Sequence, residues 1–299
     1  MGDLDLLVFG DTAIDYFYKV NKLPKSNQAA DVMESRRFYG GMGANTAVIA
    51  SALGVKTGLV SVIGTDAEDY IKYMENHGVK LYLKGVFGET TRSMFFKENG
   101  NQISFFYKGV TEMLDQLEPG KTFDKELIRK ANVVYLCRTY LNLQKKVVKS
   151  SRGKHVIYNP GYGVFEFTSI PKEFMEVLKR TTVLIINQHE LAHLKSLGFK
   201  IGFDLGPEVF IVTKGEEGCS VYARTTNVDI GAYKTKVVDE SGAGDAFNAG
   251  YIAGVLRGHE VYSATKIGAA AASFVVEQWG CQTNLPTWAA VMERYNKIE

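Results

Sequence analysis

Mainly apolar residues come in short runs at 4–10, 57–63, 133–136, 155–158, 183–186 and 209–213. Each run is shorter than an ordinary helix and lacks the polar alternation of a half-exposed strand, so each predicts a strand buried on both faces of a parallel sheet. Amphipathic or small-residue stretches lie between them at 44–53, 69–77, 172–180, 190–197 and 246–256 and predict helices. Strands and helices in alternation imply an α/β fold, a doubly wound and mainly parallel sheet flanked by helices.

Two stretches, 16–38 and 80–107, break the rhythm. Both carry β-branched and aromatic residues in short alternating runs, and Glu98-Asn99-Gly100-Asn101 contains the Asn-Gly pair of a tight hairpin. They predict a small antiparallel β sheet that acts as a lid over a cleft. The same sheet could instead cover a sheet edge or form a dimer contact. No internal repeat, low-complexity tract or long linker interrupts the chain, which implies a single domain over 1–299.

Composition narrows the range of partners. The formal charge of +2 arises from 35 basic and 33 acidic residues without long basic runs, which argues against nucleic acid or an anionic membrane as partner. Met1-Gly2-Asp3-Leu4-Asp5 places carboxylates where an export signal needs positive charge, and the longest apolar stretch, around 269–276, is far short of the roughly 18 residues of a membrane span. A soluble, cytoplasmic protein is expected. Cys137, Cys219 and Cys281 lie far apart, and His189 and His193 lack a flanking zinc-binding pattern, so no metal cluster of that type is expected.

The densest chemistry lies in Val237-Val238-Asp239-Glu240-Ser241-Gly242-Ala243-Gly244-Asp245-Ala246-Phe247. Gly242 and Gly244 let backbone approach an anion without a Cβ in the way, and the start of the following helix offers free N–H groups and a partial positive charge. Asp245 would stand beside that anion pocket. Taken alone, the same string also fits a glycine N-cap with an aspartate that merely interacts with the helix dipole. Upstream, Phe38-Tyr39-Gly40-Gly41-Met42-Gly43-Ala44-Asn45-Thr46-Ala47 is neither a dinucleotide fingerprint, since Thr46 stands where the third glycine is required, nor a P-loop. Asn187-Gln188-His189-Glu190 follows a buried strand and reads as a helix capping box.

Together these strings resemble the two signatures of the ribokinase-like (PfkB) family of carbohydrate and nucleoside kinases, and the resemblance spans nearly the whole chain. It implies a phosphotransferase acting on an alcohol group, with ATP as phosphoryl donor and Mg2+ as cofactor. By the same resemblance, Gly242, Ala243 and Gly244 form the anion hole and Asp245 is the catalytic base. Gly41, Asn45 and Asp15 would hold acceptor hydroxyls, a role for which an ionised carboxylate is well suited. Asn187 and Glu190 would organise magnesium and its waters, with Glu190 acting through water. Thr213, Lys214, Gly215 and Gly218 match the turn near the donor phosphates, although Lys214 could equally be a solvated turn lysine. Asp239 and carbonyls of its loop would be the ligands of a monovalent cation, K+; Asp239-Glu240-Ser241 departs here from the Asp-Thr-Thr or Asp-Pro-Thr of many relatives.

Asn101-Gln102-Ile103-Ser104-Phe105-Phe106 and the segment from Ala272 to Trp288 look like those of archaeal broad-specificity nucleoside kinases. That likeness puts Gln102 and Phe105 in the lid above a nucleoside and implies a lid-mediated homodimer. The rival on the same scaffold is a sugar or sugar-acid kinase such as ribokinase or 2-keto-3-deoxygluconate kinase, in which Arg36, Arg37 and Arg92 would bind an anionic acceptor. A noncatalytic ligand sensor is disfavoured by the intact Asp245, and an NAD-dependent dehydrogenase by the missing glycine fingerprint.

Overall fold

Alternate side chains of β1 (Leu4–Phe9) enter two separate cores, Leu6 and Val8 on one side and Leu4, Leu7 and Phe9 on the other. A strand apolar at every position but Asp5 is satisfied only by cover on both faces, and the rest of the architecture supplies it. The computed structural model describes residues 4–297, so Met1-Gly2-Asp3 of the acidic N-terminal stretch lie outside the described residues. The remaining strands are β2 (Ala13–Val20), β3 (Val32–Gly40), β4 (Thr57–Gly64), β5 (Lys80–Val86), β6 (Thr91–Glu98), β7 (Asn101–Tyr107), β8 (Ala131–Cys137), β9 (His155–Asn159), β10 (Val183–Asn187), β11 (Val209–Thr213), β12 (Cys219–Ala223) and β13 (Thr226–Ile230). The helices are α1 (Met42–Ala52), α2 (Glu68–Asn76), α3 (Glu126–Lys130), α4 (Leu141–Ser150), α5 (Lys172–Leu178), α6 (Gln188–Ser196), α7 (Ala243–Leu256), α8 (Val261–Val275) and α9 (Trp288–Asn296).

Among the described residues, nine strands form the main sheet in the order β13-β12-β11-β10-β9-β8-β1-β4-β5. All neighbours pair parallel except the β11–β12–β13 edge, whose hairpin the sequence reading did not anticipate. Helices α1, α2, α7, α8 and α9 cover the face that receives Leu6 and Val8; α3 to α6 cover the other. Every parallel strand expected from the apolar runs is present. Among the described residues no helix is long and apolar enough to cross a membrane.

The chain leaves β1 toward β4 and β5 on one side and returns through β8 to build the other side. The carboxyl ends of β1 and β8 therefore border the crevice where strand order reverses, the usual binding place of an open α/β sheet. Helix α1 sits tight against that point. A Cβ built on Gly43 would lie 2.6 Å from backbone atoms of Gly10, so only glycine lets the helix start approach the end of β1.

A second sheet of four strands, β3-β2-β6-β7, stands beside the first. Asn99 and Gly100 both have positive φ, 46° and 87°, the backbone of a tight turn whose twist matches the antiparallel β6–β7 pair. Two of the three pairings are antiparallel, whereas the central β2–β6 pair is parallel. The lid therefore takes its strands from 13–40 and 91–107. Residues 80–86, expected in the lid, instead form β5 at the edge of the main sheet, parallel to β4. An alternating run reveals strand conformation but not the partner. Here the helical crossover through α2 favours a parallel neighbour of β4.

Gly43→Ala should lower folding stability by about 1–3 kcal/mol, because the added methyl has backbone rather than flexible side chain to displace. Urea unfolding followed by circular dichroism measures this, and an unchanged midpoint would contradict the close packing of α1 on β1.

Candidate active site

Helix α7 begins at the crevice. Its N-cap Gly242 is left-handed at φ 78°, and a Cβ there would fall 2.7 Å from that of Cys281, so the turn into the helix requires glycine. Gly244, by contrast, has open space where a Cβ would point. In this first turn Ala243 N donates to the Glu240 carbonyl at 3.2 Å, while the backbone at Gly244 borders unfilled volume at a helix start, a place suited to an anion.

Asp245 stands in that first turn and is only 7% exposed. Its Oδ2 accepts a hydrogen bond of 2.8 Å from Asn45 Nδ2, which comes from α1. Burial pushes the Asp245 carboxyl up to about 7, the Asn45 bond opposes the rise, and the nearby charges of Asp11 and Asp15 add to it while Arg138 pulls it down. Asn45 is itself fixed: its Oδ1 accepts from Gln282 Nε2 at 2.7 Å, and the same amide nitrogen donates to Tyr70 at 2.8 Å. Tyr70 in turn donates to the Gly40 carbonyl at 2.7 Å. A single chain of bonds therefore links the glycine pair at the end of β3 to the carboxyl on α7.

Asp15, on β2, is also buried, and burial lifts its carboxyl to about 6 against the opposing Ser93 hydrogen bond. Gly40 makes room for it, since a Cβ there would collide with the Asp15 carboxylate. Gly41 has φ 94°, and its Cβ would lie 2.7 Å from Ala13 N and Asp11 O. Asp11 closes the end of β1 by accepting from Gly43 N and pairing with Arg138 at 3.2 Å. The Asp11 charge holds the Arg138 guanidinium well above its ordinary range, so it remains charged.

At the carboxyl ends of β10 and β11 lie the residues expected to meet the donor. Asn187 and Glu190 form the capping box of α6: Asn187 Oδ1 accepts from the N–H groups of His189 and Glu190, and Glu190 accepts from Asn187 N at 3.0 Å and Asn187 Nδ2 at 2.7 Å. Burial raises the Glu190 carboxyl to about 7. Gly215 and Gly218, at φ 62° and 87°, shape the turn after Thr213, and Lys214 pairs with Asp229 of β13 at 3.2 Å.

Strand alternation separates the lid residues. Asp15, Ser93, Phe95, Gln102 and Phe106 share one face of the second sheet, and Phe106 on that face meets Tyr162 of the body at 5.5 Å. Gln102 is exposed and donates to Ser104 at 3.0 Å. Phe105, expected above the acceptor, points to the opposite face, is 56% exposed and lies edge-on to Phe96. The correction is one of parity, because a run of two aromatics does not tell which faces inward. Asp239, expected to ligate a monovalent cation, receives Lys97 Nζ at 2.7 Å. The sequence reading offers Phe106 only as one of several lid aromatics, with Tyr16, Phe105 and Tyr107, that could stack on a base, and it gives Gln282, Arg138 and Lys97 no role of their own. Arg138 and Lys97 belong to no local motif and reach the site only through the fold, whereas Phe106 and Gln282 lie in segments singled out in the sequence without a stated contact.

A buried carboxyl held beside the open amides of a helix start, under a lid, is the constellation of a phosphotransferase that acts on an alcohol group. The chain belongs to the pfkB family of carbohydrate kinases, which it matches over residues 3–288. It is 34% identical to a nucleoside kinase of Methanocaldococcus jannaschii, over 96% of this chain and 95% of that protein. It is also 30% identical to a nucleoside kinase of Methanothermobacter thermautotrophicus, over 98% and 96% of the two chains. The crystal structure of the M. jannaschii nucleoside kinase superposes with a TM-score of 0.89 at 33% identity, covering 100% of both chains.

The Asp245 carboxyl titrates near 3.8 when unfolded and near 7 when folded, so the folded state binds the extra proton and stability falls as pH rises through that window. Asp15 and Glu190 act in the same direction. Asp245→Asn should therefore be more stable than the wild type above about pH 7, by on the order of 2 kcal/mol, with the advantage gone below about pH 4. Denaturant midpoints at the two pH values test it; the same difference at both would reject the raised carboxyl.

Proposed function

We propose that the protein transfers the γ-phosphoryl group of ATP to the 5′-hydroxyl of nucleosides, with broad tolerance for the base. The observation that carries this reading is the Asp245 carboxyl, fixed by Asn45 at the start of α7 and held near 7 by burial. In this position Asp245 takes the hydroxyl proton as the new O–P bond forms and the bond to the departing ADP breaks, with Oδ1 as the accepting oxygen because Oδ2 is held by Asn45. Phosphoryl transfer depends chiefly on alignment and charge stabilisation, and the amides of Gly242 and Gly244 supply the latter, with that of Ala243, which donates to the Glu240 carbonyl at 3.2 Å, joining them only by leaving that bond.

Asp15, Gly41 and Asn45 hold the ribose hydroxyls, and Phe106 and Tyr162, rather than Phe105, offer rings to the base. Gln102 lines the rim of the same face. Asn187, Thr213, Lys214, Gly215 and Gly218 surround the donor phosphates at the strand ends. Mg2+ would be held beside Glu190, a buried carboxyl within electrostatic reach of the partnerless Tyr158 hydroxyl. Both Glu190 oxygens already accept from Asn187, so Glu190 would hold the ion through water. The ion's contribution is to neutralise charge on the donor phosphates.

Two features favour nucleosides over anionic sugars. Arg36, Arg37 and Arg92 are each paired within the chain, with Glu34, with Asp69, and with Asp66 and Glu89 respectively. The relatives from M. jannaschii and M. thermautotrophicus, at 34% and 30% identity, are both nucleoside kinases. Three buried, unpaired cysteines accord with a reducing cytoplasm.

The lid's outer face carries Tyr16, Tyr18, Phe96 and Phe105 in successive ring contacts, with Ile103 and Tyr107 exposed beside them. An apolar sheet face of this kind is suited to a second copy of the same lid, and the protein is read as a homodimer through it.

An ATP-consumption assay over a panel of nucleosides, ribose and sugar acids should show turnover with nucleosides, and activity confined to sugar acids would defeat the proposal. Asp245→Asn should reduce that turnover by about 10²–10⁴-fold with little change in acceptor binding. Light scattering should give a dimer for the wild type and a monomer for Phe105→Asp; a monomeric wild type would remove the lid interface.

A further inference from the structure

Asp239 is the residue that the family resemblance assigns to a monovalent cation, and its surroundings do not fit one. The side chain is 1% exposed. Its Oδ1 takes the Lys97 ammonium at 2.7 Å, the Ser241 hydroxyl at 2.9 Å and the Ser241 N–H at 3.3 Å, while Oδ2 accepts from Gly280 N at 3.1 Å. A free alkali ion needs several oxygen ligands. Here the other walls are aromatic, with Lys97 Nζ 4.9 Å from the Phe17 ring centroid and 5.2 Å from that of Trp279. Rings suit an ammonium, whose charge they attract through their faces.

We propose that Lys97 is the monovalent cation of this site, covalently tethered through the lid. Lys97 lies on β6, on the same face as Asp15 and Phe95. Asp239 lies three residues before Gly242, and its carboxylate pins Ser241, so it shapes the loop that becomes the anion-binding turn. An uncompensated buried carboxylate there would repel the phosphoryl group that the turn must hold, and the ammonium cancels that charge. The charge arrives with the lid. Docking of β6 over the cleft therefore completes the electrostatics of the turn, and phosphoryl transfer needs no dissolved potassium.

The test compares wild type and Lys97→Ala in buffers containing K+, NH4+ or the bulky tetramethylammonium ion. Wild-type turnover and melting temperature should be the same in all three. Lys97→Ala should lose at least about tenfold in turnover in tetramethylammonium, as expected for a buried charge left unpaired, and recover most of it in K+ or NH4+. Its melting temperature should rise with the same two ions and not with the large one. A role for Lys97 as a mere clamp on the lid predicts equal impairment in every buffer, and that result overturns the proposal. So does activation of the wild type by K+. If Lys97→Ala fails to fold, Lys97→Gln is compared in the same way, and indifference to the cation in both turnover and melting temperature rejects the tethered-cation role.

Discussion

The hydrogen bond between Asn45 and Asp245 joins side chains 200 residues apart and is the contact on which the site depends. A carboxyl taken out of water is expensive to ionise unless donors replace the lost solvation. Here a neutral amide supplies one donor, and Asp11 and Asp15 add negative charge nearby, so the group is held where it can exchange a proton near neutral pH. The bond also sets the spacing of the two helix starts, α1 and α7, around the strand-order reversal of the sheet. Gln282 and Tyr70 then fix the orientation of the Asn45 amide, whose nitrogen must point at the carboxyl.

Around this contact the backbone is arranged by glycine for two different ends. Gly41 and Gly43 let α1 press against the end of β1, where any side chain would strike main chain. Gly244 does the opposite, standing beside open space at the start of α7. Two glycine-rich strings of similar composition thus produce one dense packing joint and one open cradle.

The second sheet divides its work between its faces. The inner face carries Asp15, Phe106 and Lys97 to the cleft, and the outer face exposes an aromatic surface. Because strand side chains alternate, a single residue's shift in register would exchange these roles. The tight turn at Asn99-Gly100 and the long β2–β6 pairing fix that register.

Much of this was legible in the amino-acid order. Mainly apolar runs specify buried strands because only cover on both faces satisfies them, and the Asn-Gly pair specifies its hairpin because both residues tolerate positive φ. The motif around Gly242 and Asp245, the capping box of Asn187 and Glu190, and the crowded Gly40-Gly41 pair are local, since their backbone geometry is set within a few residues. The fold alone decided the rest. Residues 80–86 show strand period but joined the main sheet, since period does not name a partner. Phe105 and Phe106 fell on opposite faces, and which of them faces the body needed a register that adjacent residues do not supply. Arg138 and Lys97 have ordinary neighbours in sequence, and Gln282 lies in a segment whose contacts its order does not reveal; distant elements brought all three against buried carboxylates or amides, whose need for a partner arises from burial itself.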